Sequence, residues 1–347
     1  MKLIGNEDMM GQLNVSITSA IAENRSLPHI LLSGAAGCGK TSTARYIAET
    51  TKCDLLEIAP ENVKIRKDVF EIGKALNRTG WSKHGDKIGT IRPTIVFMDE
   101  IHRLPITGQE HFGLLMENWV IPVNEKEIKI NFNSEFKESK AARVRWCPRF
   151  TLIGATTNDG LLSKPFKDRF KIKFIFSTYT EEESIEIVKV HAERLEIAIT
   201  DNACKEISKR GRGVPRIIVS LIERCRDSAI YNNLKTITSI VALATFAVMK
   251  IDETGLTTTD INIMKALYTS ETPVGLDNIA IITNESSKTI LETIEPHLIQ
   301  QGFITRSPRG RVLTDKGRIY LIENNYIKCE SREDDWEDIP VTYKRRL

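Results

Sequence analysis

Paired cysteines, long apolar runs and an excess of either charge are all missing from this 347-residue sequence. Its six cysteines, Cys38, Cys53, Cys147, Cys204, Cys225 and Cys329, are scattered, with no C-x-x-C pair or zinc-finger spacing. That excludes a disulfide framework and a cysteine-based zinc site, and fits reduced thiols in the cytoplasm. The most apolar segment, residues 240–249, falls far short of the ~20 residues a membrane-spanning helix needs. No signal-peptide core opens the chain, so a cytoplasmic protein without membrane contact is expected. Lysine plus arginine number 49 against 46 acidic residues, a net charge of +3. Any affinity for nucleic acid must then come from a local basic patch. No internal repeat is apparent. Hydrophobic content of 41% and charged content of 27% are ordinary, and the length holds roughly two or three domains.

Against those absences one motif stands out. Gly34-Ala35-Ala36-Gly37-Cys38-Gly39-Lys40-Thr41 fits the phosphate-binding pattern G-x-x-x-x-G-K-[ST]. It follows a strand-like run at residues 29–33 and precedes a helical pattern at 41–49, the two flanks the motif requires. Gly34, Gly37 and Gly39 let backbone N–H groups turn inward around phosphate oxygens, and the helix N-terminus adds partial positive charge. Lys40 is suited to reach the β- and γ-phosphates, and the Thr41 hydroxyl to ligate Mg²⁺. A nucleoside triphosphate is the predicted ligand. Cys38 reads as a small side chain pointing outward from the loop.

Residues 1–178 alternate strand-like runs with helical patterns, which predicts a parallel sheet covered on both faces. Strands are expected at 29–33, 55–58, 94–98, 151–155 and 172–176. Within this domain an extended hairpin is expected at about 120–147, where Ile128, Ile130 and Phe132 alternate with Lys129, Asn131 and Asn133. Docking on a partner and packing on its own domain are both open readings of it. Residues 179–252 read as a small helical lid domain. Residues 253–328 read as three helices and a short hairpin, a winged helix, and 329–347 as a polar tail. The fold class is α/β, a P-loop parallel sheet followed by the helical lid and the C-terminal winged helix.

Asp99 and Glu100 end the apolar run at 94–98, where ligands sit in parallel sheets. Asp99 is suited to hold the metal, and Glu100 to polarise an attacking water. Thr157 closes another strand and is suited to sense the γ-phosphate or that water. Arg169 reads as a finger for a neighbouring subunit's γ-phosphate; the alternative for this segment is a plain surface salt bridge between Asp168 and a nearby cation. Arg216 opens a helix after Gly211-Arg212-Gly213-Val214-Pro215 and is suited to act as a second sensor. In the winged helix, Ser307-Pro308-Arg309-Gly310 favours a type I turn. Arg306, Arg309 and Arg311 then lie at the base and tip of the wing. The preceding helix, 286–299, offers few cations beyond Lys288. Contact with phosphates rather than base edges is expected; a protein-binding wing is the alternative.

Taken in order, GAAGCGKT, IVFMDEIHRL, FTLIGATTNDGLL, PFKDRF and GVPR resemble the AAA+ ATPases. Residues 273–278, 295–303 and 306–311 narrow the resemblance to the RuvB family of Holliday-junction branch-migration motors, over roughly residues 10–318. The resemblance implies a homo-hexameric ring that uses ATP and Mg²⁺ to pump double-stranded DNA at four-way junctions in recombination and repair. It also implies a RuvA-like junction-binding partner. Carried over by position, it implies nucleotide and metal contacts from Gly37, Lys40, Thr41 and Ser42. Nearby contacts would come from Glu117, Asn118, Trp119 and Tyr179, with Arg169 as the finger supplied in trans and Arg216 as second sensor. Arg306 and Arg311 match DNA-contacting positions. The family's N-terminal arm, which helps cradle adenine, is almost absent, Ala35-Ala36 replaces a proline pair, and residues 79–92 read as an insertion. A further DNA-contacting arginine falls on Ser287, beside Lys288. A clamp-loader-like ATPase and an ATP-switched DNA-binding loader with little turnover are the competing functions.

Overall fold

A strand that is apolar at every position can serve two cores at once, and the central strands here do so. The computed structural model describes residues 3–23, 25–63, 66–79, 94–122, 144–146, 149–270 and 272–327. The expected insertion (all but Thr79), most of the 120–147 hairpin and the tail lie outside them. β1 (Ile30–Gly34), β2 (Asp54–Glu57), β3 (Thr94–Met98), β6 (Phe150–Thr156) and β7 (Ile172–Phe176) form one parallel sheet in the order β2-β3-β6-β1-β7. β4 (Val120–Pro122) and β5 (Val144–Trp146) pair antiparallel outside it, at the base of the expected hairpin. All five expected sheet strands are present, each within one residue of its expected bounds.

β3 and β6 are buried at every position. Because successive side chains point to opposite faces, Val96, Met98, Leu31 and Leu152 join one core, and Ile95, Phe97, Ile30, Leu32 and Ile153 join another. Helices α1 (Glu7–Ala22) and α2 (Lys40–Thr51) cover the second face through Leu13, Ile17, Ala44 and Ile47. Helices α3 (Arg66–Thr79) and α4 (Ile106–Asn118) cover the first through Val69, Leu76, Phe112 and Leu115. Each fully buried aliphatic side chain of this kind stabilises the fold by about 1.5–3 kcal/mol.

Internal packing divides the chain into two units: Met1–Ile197 with Gly213–Glu223, and Ala198–Arg212 with Arg224–Leu347. The first unit also holds α5 (Lys164–Asp168) and α6 (Glu181–Arg194), whose start is closed by a reciprocal capping box between Thr180 and Glu183. Helix α8 (Pro215–Tyr231) begins in it. In the second unit the short strands β8 (Ala198–Ile199) and β9 (Thr236–Ile237) pair in parallel, and α7 (Asp201–Arg210) and α9 (Ser239–Met249) are capped by Thr200 and Thr238.

The winged helix follows with α10 (Thr258–Tyr268) and α11 (Leu276–Thr283). A third helical run, α12, covers Ser287–Thr289, Ile290–Ile294 and Glu295–Gln300. Pro296 brings no N–H to that run, and the hydrogen-bond ladder widens to a π turn over Ile290–Ile294 just before it. β10 (Ile304–Ser307) and β11 (Gly310–Leu313) form the two-stranded wing, and Val274 makes a single antiparallel bridge to Arg311. Gly310 has φ +148°, and a Cβ there would lie 2.5 Å from the Val274 carbonyl oxygen, so only glycine allows this approach. Neither Pro308 nor Arg309 has a positive φ, in keeping with the type I turn.

Inside this domain His297 is 8% exposed, with no hydrogen-bond partner for Nε2. Burial, assisted by the positive charge of Arg212, pushes its pKa down to about 4. The neutral ring therefore favours the fold above the unfolded value of 6.5, and that contribution is lost as pH falls toward 4. Urea unfolding followed by circular dichroism should show stability declining by on the order of 2 kcal/mol across that window. His297→Gln should flatten the decline; an unchanged profile would rule out this histidine as its source.

Candidate functional site

Parallel strands bring all their C-terminal ends to one edge of a sheet. β1 ends at the phosphate loop, β3 ends at Asp99, and β6, lying between them, ends at Thr156 and Thr157. Gly34, Gly37 and Gly39 have φ of 147°, 81° and 97°. A Cβ on Gly37 would come within 2.8 Å of Arg216 Cβ, and one on Gly39 within 3.3 Å of Tyr179 Oη. Arg216 and Tyr179 thus close the sides of the loop. Burial pushes the Tyr179 phenol up to about 12, so it stays protonated and donates to the Cys38 carbonyl at 3.1 Å.

Lys40 Nζ donates to the carbonyl oxygens of Gly34 and Ala35, both at 2.8 Å, and burial lowers its pKa. Thr41 Oγ1 lies 3.4 Å from Asp99 Oδ2, and Ser42 follows on the first turn of α2. Hydroxyl and carboxylate oxygens of this kind, completed by phosphate oxygens and water, suit Mg²⁺. Cys38 does not point outward as expected. It is 1% exposed within the α2 core, and burial raises its pKa, which makes it an inert packing residue.

Glu100 adopts a left-handed conformation, φ 48°, costly for a non-glycine residue. Its N–H donates to Asp99 Oδ1 at 3.0 Å. Its Oε2 accepts from Thr157 Oγ1 at 2.9 Å and lies 3.1 Å from His102 Nδ1. His102 Nδ1 is also 3.0 Å from Thr156 Oγ1. This pairing of Glu100 with Thr157 joins the ends of β3 and β6. His102 was not anticipated; the short turn Ile101–Arg103 folds it back onto the acid.

On the wing, Arg306 and Arg311 face each other across β10 and β11. Arg306 Nε donates to Glu295 Oε1 at 2.6 Å. Arg311 donates from Nε to Oε1 at 3.1 Å and from Nη2 to Oε2 at 3.0 Å. Burial works to raise the pKa of Glu295, and the two arginines outweigh it, holding the carboxyl below its usual range. Arg311 is a mostly buried brace, while Arg306, Arg309 and Lys288 remain open to solvent. Ser287 donates to Asp277 at 2.9 Å.

Three family models match end to end along the chain. The Holliday junction DNA helicase RuvB P-loop domain matches residues 1–176, the RuvB AAA lid domain 179–252, and the RuvB C-terminal winged helix domain 253–328. The chain belongs to the RuvB family. It is 35% identical over 327 residues to the Holliday junction branch migration complex subunit RuvB of Ehrlichia canis, covering 94% of this chain and 92% of that one. Its likeness to the Wolbachia pipientis wMel subunit is 34% over 318 residues, covering 92% and 90%. Among solved structures, the Thermotoga maritima RuvB Holliday junction branch migration motor superposes with a TM-score of 0.73 at 31% identity, covering 92% of this chain and 95% of that one.

One group assigned from RuvB by position does not surround its own phosphate loop. Arg169 Nη2 pairs with Glu117 Oε2 at 3.0 Å, and its guanidinium packs on Gly113. Trp119 lies against His29 and Phe150, with ring centroids 5.6 and 5.4 Å away, where β1 and β6 begin. A helix joining two parallel strands runs back across the sheet, so the end of α4 lies at the N-terminal edge. β1 alone is about 16 Å long. Glu117, Asn118 and Trp119 therefore cannot touch a nucleotide in their own loop; they share a face with Arg169. The surface salt bridge expected at Asp168 is present, with Lys173 as its cation at 3.9 Å; Arg169 pairs separately with Glu117.

Residues 3–6 pack beside the phosphate loop. Gly5 and Asn6 both have positive φ, 73° and 53°, and the Asn6 N–H donates to Glu183 Oε1 at 3.2 Å. A Cβ on Gly5 would lie 2.6 Å from Glu183 Oε1 and 2.8 Å from the Tyr179 ring. Leu3, Ile4 and Gly5 line a cavity of about 540 Å³ with Met10, Tyr46 and Glu186. Gly5 thus packs on the tyrosine that closes the phosphate loop. Gly5→Ala should displace this contact and weaken binding of a fluorescent ATP analogue about tenfold, the equivalent of ~1.4 kcal/mol. Undiminished affinity in the folded variant would remove the arm from the site.

Proposed function

We propose that this RuvB-family chain hydrolyses ATP with Mg²⁺ at the boundary between two subunits, and uses the cycle to drive branch migration of Holliday junctions. The observation that carries the reading is the separation of Arg169 from its own phosphate loop, on the opposite edge of the sheet. A second subunit must bring its Arg169 face, with Glu117, Asn118 and Trp119, to complete the ring of groups around a triphosphate. A closed homo-hexamer around double-stranded DNA satisfies that requirement. A RuvA-like partner seated on the 120–147 hairpin, in the cytoplasm, completes the reading.

In this mechanism Gly34, Gly37, Gly39 and Ser42 hold phosphate oxygens, and Lys40 turns from two loop carbonyls toward the β- and γ-phosphates. Thr41 and Asp99 hold the metal, which supplies neutralisation of developing negative charge. Glu100 is stored on Thr157 and His102, and turning it toward the γ-phosphate lets it orient water as general base. Thr157 is thereby coupled to the state of the acid. Tyr179 and Arg216 flank the loop and report its occupancy to α6 and α8. Arg306, Arg309 and Lys288 contact the DNA backbone, with Arg311 bracing the wing. A clamp-loader-like role gains no support from the winged helix, and a loader without turnover leaves Glu100 and Arg169 without a task.

Arg169→Ala should retain ATP binding and lose about 10³-fold in turnover. Mixing it with Lys40→Ala should restore part of the activity, because an intact loop then meets an intact arginine across the boundary. Absence of rescue would end the trans assignment. Synthetic four-way junctions with ATP and a junction-binding partner should yield duplex products. A chain that stays monomeric with ATP and junction DNA would defeat the proposal.

A further inference from the structure

The wing holds an arrangement that stability alone does not require. Arg306 and Arg311 stand directly opposite each other on antiparallel strands, where like charges repel. One carboxylate, Glu295, reconciles them. It is 1% exposed and binds both guanidiniums. Arg311, 16% exposed, is used on both Nε and Nη2, a two-point pair that anchors the acid. Arg306 is 53% exposed and gives only Nε, so its two terminal amino groups take no partner among the described residues. One negative charge against two leaves a net positive charge at the solvent end of the cluster.

We propose that Glu295 is a positioning residue for DNA: by gripping Nε of Arg306 it presents the other edge of that guanidinium as a fixed fork to a backbone phosphate oxygen. The inference rests on the reading that the wing touches DNA. A planar fork matches two phosphate oxygens. Holding it in place beforehand reduces the rotamer freedom that binding would otherwise remove. The contact carries no base information, as a motor indifferent to sequence needs.

The sign of one substitution separates positioning from plain electrostatics. Glu295→Gln adds one positive charge near the wing, and simple charge attraction then predicts tighter DNA binding. Positioning predicts the reverse. Affinity for duplex and junction DNA should fall several-fold at about 100 mM salt, and the log–log salt slope should become shallower by about one. Arg306→Lys, at a half-exposed site, keeps the charge without the fork, and should bind as weakly as Arg306→Ala. It decides the matter even if Glu295→Gln fails to fold. Equal or tighter binding by folded Glu295→Gln, or wild-type binding by Arg306→Lys, overturns the proposal while leaving the wing as a DNA contact. Wild-type binding by Arg306→Ala would remove that contact itself, and this inference with it.

Discussion

Everything at the nucleotide site depends on one constraint: parallel strands end together, and the helices between them must run back. The first half of that rule gathers the phosphate loop, Asp99, Glu100 and Thr157 on one edge, although they are spread over more than a hundred residues of sequence. The second half sends the ends of α4 and α5 to the other edge, carrying Glu117 and Arg169 with them. A single subunit is therefore split by its own topology into a face that holds a triphosphate and a face that offers an arginine. On the proposed reading, association of copies brings the two faces together.

Positive φ recurs where groups meet at close range around the nucleotide site. Gly5, Asn6, Gly37, Gly39, Glu100 and Gly213 all have positive φ, and each lies at or beside the phosphate loop, the acid or Tyr179. Non-glycine residues in this region cost of order 1–3 kcal/mol and persist only where the surroundings hold them. Glu100 is held by Asp99, Thr157 and His102. Asn6 is held by Glu183. In the second unit Arg212, φ 57°, is held by the Gly255 carbonyl and by Asp260, itself 1% exposed. Buried acids there are bound by arginine: Asp260 by Arg212, Glu295 by Arg306 and Arg311. Such pairs contribute little net stability, but removing one partner is costly, so they fix a conformation more than they stabilise it.

Much of the molecule could be read before its structure was known. Apolar runs bounded by turn residues were enough to find the five sheet strands, because a doubly buried strand must be apolar throughout. The phosphate-loop pattern and the Asp99-Glu100 pair are local chemistry, legible from spacing. Misreadings arose where a residue's partner is distant in sequence. Cys38 turns inward because the α2 core needs a small apolar group there. That Glu117 lies on the edge away from its own loop was not legible, because position along the chain does not say which way a helix runs. That Gly5 packs directly on Tyr179 was not legible either, because the two residues are far apart in sequence.

By itself the sequence determined the secondary structure, the fold class and the identity of the phosphate loop, since these depend on periodicity and on contacts between neighbours in the chain. Only the tertiary structure decided that Glu100 rests on Thr157 and His102, that Arg169 lies across the sheet from its own loop, and that one buried glutamate grips two wing arginines. Those facts depend on strand order, helix direction and side-chain reach. They arise when segments far apart in sequence are packed side by side, and no local pattern encodes them.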